Sequence, residues 1–187
     1  MTRIIKGKFD IEMAKHYVSL IHKVHDKEIN IESHAGGEGI ILLTGKYAIK
    51  HPYFLDNTSY DYRKETKNLL KEFYIGSSLE KIGLNVPHMH AVCLDDKFPF
   101  LMMKGLNLIK IDNLNNKQRK IAEKQFIEQT ENARAQGFIP HDSLLDKNYG
   151  IFNYEFDVKN NKGYFMDFST WRKKWQNKNL WRLLNYP

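Results

Sequence analysis

Apolar residues recur at Ile11, Ala14, Val18 and Ile21, a three-and-four spacing that lines one face of a helix. Asp10 stands where a side chain can cap that helix. The pattern predicts a helix over residues 10–26, packed on the rest of the chain and structural in role. The period then falls to two. Ile29 and Ile31 alternate with polar residues, 34–39 reads as a turn, 40–43 as a strand, Thr44-Gly45 as a tight connection and 47–50 as a third strand. A turn-rich connection with Pro52, Asp56, Asn57, Ser59 and Asp61 leads to a helix over 63–81, striped by Leu69, Phe73, Gly76 and Leu79. Gly83 and Pro87 end it. Residues 90–94 and 98–103 are strands. A long polar helix over 116–136 turns Ile121, Phe126 and Ala133 inward and stops at Gly137. Two short strands come next, over 149–152 and 164–166, joined by the polar stretch 157–163. Residues 171–184 form a last helix that offers Trp171, Trp175, Leu180, Trp181 and Leu184 for burial.

Composition narrows this frame. The chain has 187 residues, enough for a core and short for two independent domains. Its single cysteine, Cys93, allows no internal disulfide and points to a reducing compartment. No apolar run approaches the ~18 residues that cross a bilayer, and the N-terminus lacks the long apolar region of a Sec signal. A net charge of +7 fits an acidic partner or solubility alone. It is concentrated in the tail, where Arg172, Lys173, Lys174, Lys178 and Arg182 stand without an acidic residue. No DNA or RNA partner is expected.

Candidate chemistry gathers in two stretches. In the first, Gly36, Gly37 and Gly39 let main-chain N–H groups approach phosphate, although such a run also makes a plain hairpin turn. Lys50 is one cation on the next strand. Glu72 lies at the edge of the apolar stripe of the helix over 63–81 and can pair with Lys50. Glu65 is the rival, and a solvated surface glutamate is the plain alternative. In the second stretch, Asp142 lies on a tight loop, Asn148 six positions on, and Asp167 after the second short strand. A hairpin brings Asn148 and Asp167 to one end. Both are hard oxygen ligands suited to Mg²⁺, with Asn153 as a rival ligand. Asp142 can orient a hydroxyl or accept its proton.

The order of these features resembles the protein-kinase-like superfamily: glycine turn, Ala48-Ile49-Lys50, helix glutamate, apolar strand, long helix, His141-Asp142, Asn148, then Asp167-Phe168-Ser169. The resemblance covers residues 27–169. It implies an α+β, two-lobed protein-kinase-like fold with an antiparallel small lobe and a strongly reduced helical large lobe. Residues 1–26 are then an N-terminal helical extension, 27–104 the small ATP-binding lobe, and 105–187 a minimal catalytic lobe with a basic C-terminal helix. ATP lies between the lobes, with Ile41 and Ala48 against the adenine and Met103 as gatekeeper. Main-chain groups around Lys104 and Leu106 meet the adenine edge; Met102 and Met103 also read as plain core. Lys50 contacts phosphates, Asn148 and Asp167 hold Mg²⁺, and Asp142 orients the acceptor.

The departures are specific. His34 occupies the first glycine position, Pro140 the place of the loop histidine, and Ser169 the third residue of Asp-Phe-Gly. The loop from Asp142 to Asn148 is one residue longer than the family's. With 18 residues after Ser169, no peptide-recognition segment is expected. The chain is similar in this to the minimal effector kinases that bacteria inject into host cells. The resemblance therefore implies a Ser/Thr protein kinase acting on one docked partner protein, cytoplasmic or delivered into a host cell. The alternatives are a small-molecule kinase of the aminoglycoside, choline or sugar type, or a nucleotide-binding pseudokinase.

Overall fold

A computed structural model describes residues 1–25, 33–36, 39–52, 61–96, 98–139, 153–168 and 171–173. The chain divides into two compact units, Met1–Phe73 with His88–Leu106, and Tyr74–Pro87 with Asn107–Pro187.

The first unit holds β1 (Arg3–Gly7), α1 (Ile11–His25), β2 (Ser33–Gly36), β3 (Gly39–Leu43), β4 (Tyr47–His51), β5 (Met89–Leu94) and β6 (Pro99–Lys104). Helix α2 (Tyr62–Lys81) begins in this unit. The strands form one sheet in the order β1-β5-β6-β4-β3-β2, every neighbouring pair antiparallel. Side chains alternate between its faces. One face sends Leu42, Tyr47, Ile49, Ala91, Cys93, Phe100 and Met102 into a core closed by Ala14, Tyr17, Val18 and Ile21 of α1. The expected stripe and cap of that helix are both present: Met13 N–H donates to Asp10 Oδ1 at 2.9 Å.

Strand β1 is absent from the sequence reading. Its signal is Ile4-Ile5, two adjacent apolar residues with no alternation. The register against β5 shifts between Ile4 and Lys6, so a bulge absorbs the extra residue. The residues before α1 thus extend the sheet. The turn expected over 34–39 is shorter than predicted, because His34, Ala35 and Gly36 pair with Ile41, Ile40 and Gly39. Buried Cys93 has its thiol pushed up to about 12 by loss of solvent, which suppresses the reactive thiolate.

The second unit holds β7 (Ile109–Lys110), a 3-10 turn (Ile111–Asn113), α3 (Asn116–Ala135), β8 (Phe138–Ile139), β9 (Tyr154–Asp157), β10 (Lys162–Phe165) and β11 (Arg172–Lys173). Asn115 caps α3 by accepting from Gln118 N–H at 3.0 Å, and Gly137, with φ 79°, lies just past its end. Its buried residues are Ala122, Phe126, Thr130 and Ala133. Ile121, expected inward, is half-buried beside Ala122. Phe126, Tyr154, Phe165 and Trp171 pack edge to face or tilted, with centroids 4.8 to 5.7 Å apart.

Two expectations are corrected. The first strand of the hairpin is residues 154–157, where Tyr154 and Phe156 are buried and Glu155 is not; the stretch 149–152 lies outside the described residues. The helix expected from Trp171 does not start there. Arg172 and Lys173 pair with Ile139 and Phe138, and Lys173 Nζ lies 5.0 Å from the Phe138 ring centre. Residues 174–187 lie outside the described residues.

The β9–β10 turn is locked by Asp157, which accepts from Asn160 N–H at 3.0 Å and Asn160 Nδ2 at 2.6 Å. Burial pushes this carboxyl up, but the Asn160 bonds, the Lys159 N–H and the Lys159 charge outweigh it and hold the group below its ordinary range. The unfolded chain therefore binds the proton more tightly, and the stabilisation is present above the unfolded pKa of about 3.9. It is lost as pH falls through the lower folded value. The melting-temperature advantage of wild type over Asp157→Asn is expected to be full above about pH 5 and to shrink below about pH 3. A constant gap across that range would show that the charge contributes nothing.

Candidate functional site

In β4 the residues that alternate with the core-facing Tyr47 and Ile49 are Ala48 and Lys50, so these take the other sheet face. The register builds two rows there: Ile41, Lys50 and Leu101, then Leu43, Ala48 and Met103. The structure thus brings Ile41, Ala48, Lys50 and Met103 onto one face. Met103 is 3% exposed, so it also serves as core.

The face carries a buried ion pair. Lys50 Nζ donates to Glu72 Oε2 at 2.8 Å, with side-chain exposures of 8% and 4%. Asp61 starts α2 by accepting from the N–H groups of Arg63 and Lys64, and Leu69, Phe73 and Leu79 bury the same helix. That register puts Glu72 inside, while Glu65, half-buried, lies about two turns earlier. Two buried charges stay ionised only when each compensates the other, so the pair fixes both side chains.

Gly36 and Gly39 face each other across the β2–β3 hairpin; Gly37 lies outside the described residues. A Cβ at Gly39 would stand 2.5 Å from the His51 carbonyl oxygen, so packing against β4 already requires glycine. After β6 the chain is tied on both sides. Lys104 N–H donates to His88 O at 2.8 Å and Gly105 N–H to Lys46 O at 2.9 Å. A Cβ at Gly105 would meet Gly45 O at 2.5 Å. Gly105 thus sets the path between Lys104 and Leu106. Its only signal in the sequence is a glycine just after a strand.

In the second unit, Asp167 is half-buried and adopts the left-handed conformation, φ 54°. Aspartate and asparagine are the non-glycine residues that adopt this conformation most readily, and such positions recur at turns and at functional sites. The preceding Met166 N–H donates to Asn153 O at 2.7 Å, and Asn153 is itself left-handed, φ 55°. Strands β8 and β11 join the chain just before residue 140 to the chain after Asp167. Asp142 and Asn148 lie outside the described residues. Among the described residues no three His, Cys, Asp or Glu side chains form a metal-ligand group, and no helix is long and apolar enough to cross a membrane.

The chain is similar in structure to kinases. The Rio2 kinase from Chaetomium thermophilum matches 91% of this chain and 58% of its own, with TM-score 0.55 and 14% identity. The complex of that kinase with ADP/Mg²⁺ and phosphoaspartate gives 91%, 56%, 0.54 and 13%. WbdD, crystallised with the kinase inhibitor LY294002, gives 85%, 38%, 0.54 and 13%. The chain therefore spans less than three fifths of each of these proteins. No protein-family model matches the sequence, and no curated protein does.

Proposed function

From a chain with a protein-kinase-like fold, we propose an ATP- and Mg²⁺-dependent phosphotransferase, and within that class a Ser/Thr protein kinase acting on a docked partner protein. The observation that carries the proposal is the buried Lys50–Glu72 pair on the face shared with Ile41, Ala48 and Met103. An apolar floor with one small residue suits a planar base, and a held ammonium suits its phosphates. Lys50 meets the α- and β-phosphates, and Glu72 holds its direction. Main-chain groups of Lys104 and Leu106 take the adenine edge, because Gly105 N–H is committed to Lys46. The main chain at Gly36, Gly37 and Gly39 covers the phosphates.

Asp167 supplies a charged oxygen and Asn148 a neutral one, a donor set of the hard kind that Mg²⁺ takes. The ion, when bound, neutralises charge on the phosphate oxygens. Asp142 orients the acceptor hydroxyl and receives its proton. The order of motifs resembles that of the protein-kinase-like superfamily and supports phosphoryl transfer; it is compatible with a protein or a small-molecule acceptor, which the experiment below separates. Exposed Arg172 and Lys173 suit an acidic partner surface.

Incubation with labelled ATP and whole-cell lysate tests this. One or a few protein bands are expected with wild type and none with Asp142→Ala. Label confined to aminoglycosides, choline or sugars supports a small-molecule kinase instead. Bound nucleotide with no transfer supports a pseudokinase.

A further inference from the structure

Strand β10 lies at the edge of the β10-β9-β7 sheet, so half of its main-chain groups point away from β9. Such groups need partners when buried, and a helix packed beside a strand normally offers only side chains. Here α3 offers two amides one turn apart. Gly163 N–H donates to Gln125 Oε1 at 2.8 Å, and Gln129 Nε2 donates to the Tyr154 hydroxyl at 2.7 Å and to Gly163 O at 3.4 Å. Gln129 Oε1 accepts from Asn85 N–H at 2.8 Å, and Asn85 O accepts from Phe165 N–H at 3.0 Å. Gln125 Nε2 donates to Asn161 O at 3.1 Å. A Cβ at Gly163 would strike the Tyr154 ring, 2.5 Å from Cε1, so the tyrosine that reaches Gln129 also requires this glycine.

The edge is thus completed by two glutamines and one main-chain segment instead of a further strand. The path of the chain is fixed at Gly163, at Phe165 and, through Asn153, at Met166. The next residue is Asp167, in the left-handed conformation, so the path set at these three residues also sets where its carboxylate starts from. The geometry points to Gln125 and Gln129 as positioning residues for Asp167, the carboxylate assigned above to Mg²⁺; the inference rests on that assignment. Each amide both donates and accepts, which no apolar helix residue at these positions could do.

The test uses the full chain with Mn²⁺ and ADP, tracking metal binding by electron paramagnetic resonance and ADP binding without metal by calorimetry. Gln129→Leu is expected to weaken Mn²⁺ binding about tenfold, the scale for groups that orient a ligand without touching the metal. Gln125→Ala, which keeps a strong helix former, should weaken it less. Metal-free ADP affinity should hold in both, since Lys50 and its sheet are untouched. Gln129→Glu keeps the acceptor for Asn85 N–H and an acceptor for the Tyr154 hydroxyl, and should recover most of the loss. A lowered melting temperature with unchanged Mn²⁺ affinity in the folded variants would overturn the inference and leave the glutamines as staples. If Gln129→Leu fails to fold, unchanged affinity in Gln125→Ala decides against it. Wild type that binds ADP but no Mn²⁺ would overturn the metal assignment itself, and the inference with it.

Discussion

Lys50→Ala is expected to lose phosphoryl transfer by about a hundredfold to a thousandfold, and to weaken the fold as well. The first effect is the loss of one fixed charge on the phosphates. The second comes from burial: Glu72, with a side chain 4% exposed, would lose the Lys50 ammonium that lies 2.8 Å from its carboxylate. Breaking a buried pair from one side costs about 3–5 kcal/mol, whereas replacing both partners with apolar groups is often neutral. Lys50→Met combined with Glu72→Leu should therefore unfold near the wild-type urea midpoint and still lack transfer. Glu72→Gln should cost less than Lys50→Ala, and Glu65→Gln almost nothing. If the double variant transfers phosphate at the wild-type rate, the pair is structural and the nucleotide assignment fails. If Glu65→Gln is the damaging single change, the pair that matters is a different one.

Removing residues 1–25 is expected to unfold the first unit. This deletes Ala14, Tyr17, Val18 and Ile21 and bares Leu42, Ile49, Cys93, Phe100 and Met102, all fully buried. Each large side chain contributes about 1.5–3 kcal/mol when buried, against a total stability of about 5–15 kcal/mol for a typical domain. Cys93 reports the outcome. In wild type its thiol should resist an aromatic disulfide reagent, since burial pushes it up to about 12. In the truncated chain it should react at the rate of a free thiol. Ile21→Ala, at about 2–5 kcal/mol, should give an intermediate melting temperature with the thiol still protected. An unreactive Cys93 and a cooperative melt after truncation would show that α1 lies outside the core.

Elements with a clean period were legible. The stripes of α1 and α2 come directly from side-chain spacing, and β3, β4, β5 and β6 from short apolar runs bounded by turn residues. Period alone left Glu72 and Glu65 both open as partners of Lys50; the resemblance to kinases favoured Glu72, and burial of the α2 stripe at Leu69, Phe73 and Leu79 is what puts it beside Lys50. What escaped had no period to read. β1 carries its bulge at two adjacent isoleucines, and β11 is two basic residues long. Gln125 and Gln129 look like the solvated face of a polar helix, because an amide facing a strand edge and one facing water have the same letter.

The pairing of Arg3 with Leu94 has a bearing on how the protein is made. A strand at the start of the chain waits about ninety residues for its neighbour, a separation of the kind that slows folding. At a synthesis rate of about 5–20 residues per second, the wait on the ribosome is several seconds. Throughout it, Ile4, Ile5 and the apolar stripe of α1 have no β5 to cover them. A nascent chain arrested before residue 94 should therefore bind a holdase chaperone, and release it once β5 and β6 have emerged.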